Sequence, residues 1–247
     1  MNTIHFNIDH WIALAPGLTT QQDWQTWAKN PQLIDPQPPV ADKIPPMMRR
    51  RMSPLSKLAL QTALMITASN NIDYIVFSSR HGELHRTVKL IKDIINGDDA
   101  SPIAFSQSVH NTAAGLYTIA TKQPIAVTSL AGGENNLHMA LIEVACYLNQ
   151  YPHHRVLMVD FDQPLPIEYQ QFEQYQYPSF ALAMVISNGN NCQLSWRPTL
   201  KLTNEPQHSV SCYPQTLTII KHLANKDNQW SINAQHQQWQ WQWRYQS

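Results

Sequence analysis

A short β-prone run, Pro124–Ser129, leads through Leu130 into the tight turn Ala131-Gly132-Gly133, and from Asn136 to Tyr147 the apolar residues Leu137, Ala140, Leu141, Val144 and Ala145 recur at helical spacing. Strand, sharp turn and buried helix together aim the residue at the bend towards the exposed amide groups of a helix N-terminus. A cysteine at the bend would be held there as thiolate. Leu130 has no proton to lose and no lone pair to attack with. The chain carries the architecture of a nucleophile elbow without its nucleophile.

The rest of the chain alternates strand and helix. Ile4–Leu14, Ile72–Ser78, Arg155–Phe161 and Phe180–Ser187 read as strands; Gly82–Asn96, Ser108–Lys122 and a segment starting at Ser53, with Pro54 in its first turn, read as helices. Pro31, Pro36, Pro38, Pro39, Pro45 and Pro46 mark an extended loop between the first strand and that helix. Such alternation predicts an α/β fold, with helices packed on both faces of a mixed sheet. The tail differs in character. A strand near Gln193–Trp196 and a helix near Gln215–Leu223 precede Trp230-Ser231-Ile232 and then Trp239–Tyr245, where aromatic and polar residues alternate strictly. Period-two alternation puts three tryptophans and a tyrosine on one strand face. That face either closes over the chain's own core or anchors a partner.

Ser101-Pro102, Phe105, Asn111–Ile119 and Pro124–Gly133 together resemble the N-terminal half of β-ketoacyl synthases, whose pattern runs S-P … F … N-x-x-A-G-x-x-T-I, then a strand ending T-A-C-x-S-G, then a helix. Asn111, Ala114, Gly115, Thr118, Ile119, Thr128 and Gly133 fall on that pattern, and Leu130 falls on the catalytic cysteine. Met52–Ala63 is similar to the family's first long helix, and Tyr74–Glu83 to its next strand and turn. The resemblance covers residues 1–190 and implies a thiolase-type half, a layered α-β-α unit around a five-stranded mixed sheet. Residues 191–247 then form a short β-rich C-terminal extension, with a helix and a Trp-rich strand packing on it.

The same resemblance carries expectations of function. In the family, two histidines from motifs resembling H-G-T-G-T and G-x-G-G-H-N help to decarboxylate the extender and stabilise the enolate. After Ile186 about sixty residues remain, neither motif occurs, and seven glycines are too few to build such loops. Condensation needs the cysteine to carry the acyl chain and the histidines to activate the attacking carbon. The resemblance therefore implies a catalytically inactive subunit, similar to the chain-length factors of type II polyketide systems and especially the short ones of aryl-polyene-type clusters. No cofactor or metal is expected. Ketosynthases pair across a two-fold axis through the strand before the cysteine, here Pro124, Ile125, Ala126, Val127 and Thr128. The implied partner is an active ketosynthase supplying Cys-His-His, with an acyl carrier protein as a further partner. His81, Leu84, His85 and Val88, at i, i+3, i+4 and i+7, share one helix face. With Ser108, Thr112 and Leu116 they are the candidates for an acyl pocket that limits chain length. A plain core face with histidines at its polar edge accounts for the same spacing.

Other classes have weaker support. Lys+Arg and Asp+Glu number 17 each, so no net field draws the chain to nucleic acid or anionic lipid. No uncharged apolar stretch is long enough to span a bilayer, and the N-terminus lacks a signal pattern, which predicts a cytoplasmic protein. Cys146, Cys192 and Cys212 are odd in number, and Cys146 reads as a small core residue. His153-His154 reads as a surface turn, Asp160 and Asp162 as caps on the loop at Pro164, and Met47–Met52 as a solvated basic helix entry on which an acidic carrier protein would find a place. The rival readings are a small acyl-thioester hydrolase or transferase using Ser129 or Ser79 with a histidine, and a scaffold that only binds carrier protein. No G-x-S-x-G pattern surrounds Ser129.

Overall fold

The computed structural model describes residues 1–31, 37–68, 70–173, 175–199, 213–234 and 236–244. Pro36, Cys212 and Tyr245 of the sequence expectations lie outside these residues. In chain order the elements are β1 (Asn2–Leu14), α1 (Gln21–Lys29), α2 (Pro46–Arg49), α3 (Pro54–Thr67), β2 (Tyr74–Ser78), α4 (Leu84–Ile95), α5 (Pro102–Ser106) and α6 (Thr112–Thr121). They continue with β3 (Ala126–Leu130), α7 (Asn136–Gln150), β4 (Arg155–Asp162), β5 (Phe180–Pro198), α8 (Gln215–Asn225), β6 (Gln229–Asn233) and β7 (Gln237–Trp243). Local chemistry sets the helix starts: Ser53 Oγ accepts from Ser56 N ahead of α3 with Pro54 at its first position, and Thr20 forms a reciprocal capping box with Asp23 on α1.

β3, β2 and β4 are parallel neighbours; β5 runs antiparallel to β4, and β1 pairs with the opposite edge of β5. These five strands form the thiolase-type mixed sheet. β5 is unusually long and changes neighbour along its length. Its residues 180–187 pair with β4, and from Cys192 to Pro198 it pairs with β7, which carries β6 on its far side. The strand therefore crosses the boundary drawn at residue 190, and the extension continues the same sheet. Register slips at the crossing, where Asn7 bonds to Asn188 O and Asn191 N while Asn191 Oδ1 accepts from Ile8 N.

Two apolar layers hold helices to the sheet. One joins it to α3 and α6 through Leu55, Ala59, Phe77, Tyr117 and Val159; the other joins it to α1, α7 and α8 through Trp24, Leu137, Val144, Met158 and Leu217. Trp239, Trp241 and Trp243 point into the second layer, with Phe6 edge-on to Trp241 and Trp230 stacked on it. Cys146 corrects the expectation made for it: it is exposed, because the inward stripe of α7 is Leu137, Ala140, Leu141, Val144 and Leu148, and position 146 turns away from that stripe. Among the described residues no helix is long and apolar enough to cross a membrane.

Candidate functional site

Leu130 is the last residue of β3, half-buried, directly before the turn into α7. The bend is where the sequence puts it. The strand is not central in this chain: β3 bonds only to β2, so its outer edge is open among the described residues. Pro124 and Ile125 precede the strand, while Ala126, Val127 and Thr128 lie in it. After Leu130, Gly133 adopts φ +61, which favours glycine, and a Cβ on Gly132 would come within 3.0 Å of Met139. The turn is closed by Asn136, whose Oδ1 accepts from Gly132 N at 2.8 Å.

Paired residues in adjacent strands face the same side, so the row Leu130, Ser78, Asp160, Leu182 shares the α7 side of the sheet. Beneath Leu130 this row is polar and sealed. Asp160 accepts from Ser78 Oγ (2.5 Å), Asn136 Nδ2 (2.5 Å) and Thr216 Oγ1 (2.6 Å). Two residues on, Asp162 accepts from Ser79 Oγ and Arg80 N, both at 2.9 Å, and from His81 N at 3.3 Å. Burial pushes the Asp160 carboxyl up to about 6; burial, with the neighbouring Asp160 charge, pushes Asp162 up to about 7. The two aspartates therefore do not cap the loop at Pro164. Their strand end is roofed by α7 and α8, and only donors from those elements and from the β2 turn satisfy them.

α8 and β7 clamp the first turn of α7. His138 is fully buried; its Nδ1 meets Gln215 Oε1 at 2.6 Å and its Nε2 accepts from Trp241 Nε1 at 3.1 Å, so the proton lies on Nδ1. Burial holds this histidine down to about 3, and Trp239 stacks on its ring. Gln215 Nε2 and Trp239 Nε1 both donate to Asn135 Oδ1.

The acyl-pocket candidates are distributed differently from a single helix stripe. Gly82 has φ +55 and α4 starts at Leu84, so His81 sits in the preceding turn with its Nε2 buried and unpartnered; burial lowers its affinity for a proton. His85 is exposed and its Nε2 meets Pro164 O at 2.8 Å, while Val88 is buried. Ser108 bonds to Phe105 O, Thr112 opens α6, and Leu116 packs against the layer containing Phe77. Neither the groove between α6 and β3 nor the small cavity beside Asp160 is lined by any of these seven residues. A cavity of about 30 Å³ touches Asp160, Asp162, Arg80 and Thr216, and a groove of about 460 Å³ lies between α6 and β3, lined by Asn111, Ala114, Gly115, Thr118, Val127 and Ser129.

Among the described residues, none of the hydroxyls of Ser78, Ser79 and Ser129 is hydrogen-bonded to a histidine side chain. Ser78 and Ser79 are committed to carboxylates, and His110 meets only the main-chain oxygen of Ser79. Ser129 Oγ is buried and has no partner among the described residues. No group of three or more His, Cys, Asp or Glu gathers as a metal site among those residues.

A family model described as "Beta-ketoacyl synthase, N-terminal domain" matches residues 24–242. A solved structure of a ketosynthase (ApeO) in complex with its chain length factor (ApeC) from Xenorhabdus doucetiae contains a chain 28% identical to this one, with a TM-score of 0.86 over 97% of this chain and 99% of that one. The ishigamide ketosynthase/chain length factor aligns at 14% identity and TM-score 0.60, over 80% of this chain and 68% of that one. A beta-ketoacyl synthase from Burkholderia phymatum aligns at 9% identity and TM-score 0.60, over 91% and 71%. These last two share the fold. Among curated proteins none matches. With that family model matching residues 24–242, most of its length, the chain belongs to the β-ketoacyl synthase N-terminal-domain family.

Proposed function

We propose that this chain is the non-catalytic member of a heterodimer with an active β-ketoacyl synthase, in which it acts as a chain-length factor. The observation that carries the reading is the open edge of β3 ending at Leu130, a side chain that can fill space but cannot hold an acyl group. An unpaired strand of uncharged residues is a template for another strand, and a related subunit presenting the same edge would extend the sheet across a two-fold axis. Exposed Ile119 on α6, the helix that packs on β3, adds apolar area for such a contact. Likeness over nearly the full length of a chain from a ketosynthase–chain length factor complex supports the same assignment.

In this account the partner supplies cysteine and histidines, and this chain supplies shape. Leu130, with Ser108, Thr112 and Leu116 along α5–α6, is the wall against which a growing acyl chain stops; His81, Leu84, His85 and Val88 back that wall. An acidic carrier protein is assigned to the face at Met47, Arg50 and Arg51, all exposed. The test is co-expression with the active ketosynthase. Co-elution in size exclusion, with product length altered when this chain is withheld, supports the proposal. Separate elution with unchanged products rejects it.

A further inference from the structure

The sheet has a second open edge, on the side away from β3: among the described residues β1 pairs only with β5. Neighbouring contacts show which of its main-chain groups point outward. Ala15 and Leu18 exchange N–H···O bonds at 2.9 Å, and Ala13 O accepts from Trp24 Nε1 at 2.7 Å, so residues 13 and 15 face away from β5. Strand groups alternate with a period of two, so Trp11 turns its N–H and C=O the same way. Among the described residues neither group has a hydrogen-bond partner. A strand edge left in this state is a template for one more strand. A groove of about 510 Å³ lies over the same stretch. Its lining comes from both apolar layers, with Trp24 of α1 on one side, Met65 and Ile66 at the end of α3 on the other, and Asp9 to Ala13 of β1 between them.

We infer that this groove binds an extended peptide segment of another protein, which adds to the edge of β1 as one further strand. The site lies at the opposite end of the sheet from β3 and does not depend on any pairing there. One peptide residue opposite Trp11 exchanges two hydrogen bonds with it. The residues on either side of that one put their side chains on the other sheet face, against Ile12, Met65 and Ile66. An extended main chain is the chemistry that offers a donor and an acceptor together at strand spacing. The free edge is short, because Trp24 and the Ala15–Leu18 pair close it beyond Trp11, so it takes a segment rather than a long strand. A second copy of this chain fits poorly: a two-fold axis through Trp11 sets groove against groove and brings no side chain to fill either. The lining holds Asp9 and neither Lys nor Arg, so the segment carries apolar side chains and no acidic one.

The experiment follows hydrogen exchange of the Trp11 amide by NMR in the full-length chain, titrated with the peptide acetyl-Thr-Val-Thr-Val-Thr-amide. With its central residue opposite Trp11, this probe sets both valines against Met65 and Ile66. Binding saturates and slows exchange at Trp11. N-methylation of the central residue removes one of the two hydrogen bonds and weakens binding about fivefold. Aspartate in place of both valines abolishes it. Met65→Glu, at a half-buried position, buries an unpaired charge in the groove and weakens binding by about tenfold or more while the melting temperature holds. Should that variant fail to fold, the N-methylated peptide decides. Equal binding of the plain and N-methylated peptides, or no protection of Trp11 by the plain one, overturns the proposal. Protection of Trp11 that grows with protein concentration in the absence of peptide also overturns it, since the occupant is then a second copy.

Discussion

Replacing Asp160 by asparagine separates the electrostatic cost of the network under Leu130 from its hydrogen bonding. Asp160 is fully buried, and burial raises its carboxyl to about 6, from 3.8 for an ordinary aspartate. A carboxyl raised in the folded state contributes stability that is fully present below pH 3.8 and is lost as pH rises through 6. Roughly two units at 1.36 kcal/mol each make that loss about 3 kcal/mol by pH 8. Asparagine carries no charge at any pH and keeps an acceptor for Asn136 and Ser78. It presents a donor to Thr216, whose hydroxyl can rotate to accept, at a cost of about 1 kcal/mol. Asp160→Asn therefore gains on the wild type by roughly 2 kcal/mol between pH 4.5 and pH 8, part of the loss having already occurred by pH 4.5, and is the more stable form at the upper end. Because the Asp160 charge also raises Asp162, the variant's remaining carboxyl titrates lower. Urea unfolding at pH 4.5 and pH 8 measures the difference. A stability gap between the two proteins that is independent of pH, or that widens against asparagine as pH rises, refutes the reasoning.

Three further outcomes follow from other parts of the structure. His138 is held down to about 3 against 6.5 when exposed, so its contribution is complete above pH 6.5 and drains away as pH falls towards 3; His138→Gln, followed by urea unfolding between pH 7 and pH 4, should lose less stability over that interval than the wild type. Trp241→Phe deletes the indole N–H that serves His138 Nε2 and leaves a small cavity, for a loss of about 2–4 kcal/mol by denaturant titration. A loss under 1 kcal/mol would show the clamp to be incidental. Leu130→Cys alone will not yield condensation by the purified chain, measured as decarboxylative product formation, because His138 and His110 are already engaged, by Gln215 and Trp241 and by the Ser79 oxygen; measurable turnover would contradict the account.

Much of the layered core was legible because its signals are local. Ser53-Pro54 marks the start of α3, and the alternation of Trp239, Trp241 and Trp243 marks a strand with one inward face. The turn after Leu130 is legible from Gly132-Gly133, since backbone demands of that kind leave few alternatives. What the sequence hid depends on distant partners. Asp160 reads as a loop cap until Ser78 and Thr216, 82 and 56 residues away, arrive beside it. His138 looks like any polar helix residue until α8 and β7 enclose it. β3 has the composition of an inner strand, Ala-Val-Thr-Ser-Leu, and nothing in those residues says that its outer edge is unpaired among the described residues. The unpartnered Ser129 hydroxyl is likewise visible only in the folded chain.

Condensation by the reconstituted heterodimer, with the partner's nucleophilic cysteine changed to alanine, tests the division of labour most directly. The account predicts that the wild-type pair forms chain-extended product and that the altered pair forms none, since this chain offers Leu130 where an acyl group would need sulfur. Extended product from the altered pair would place chemistry in this subunit and contradict the account.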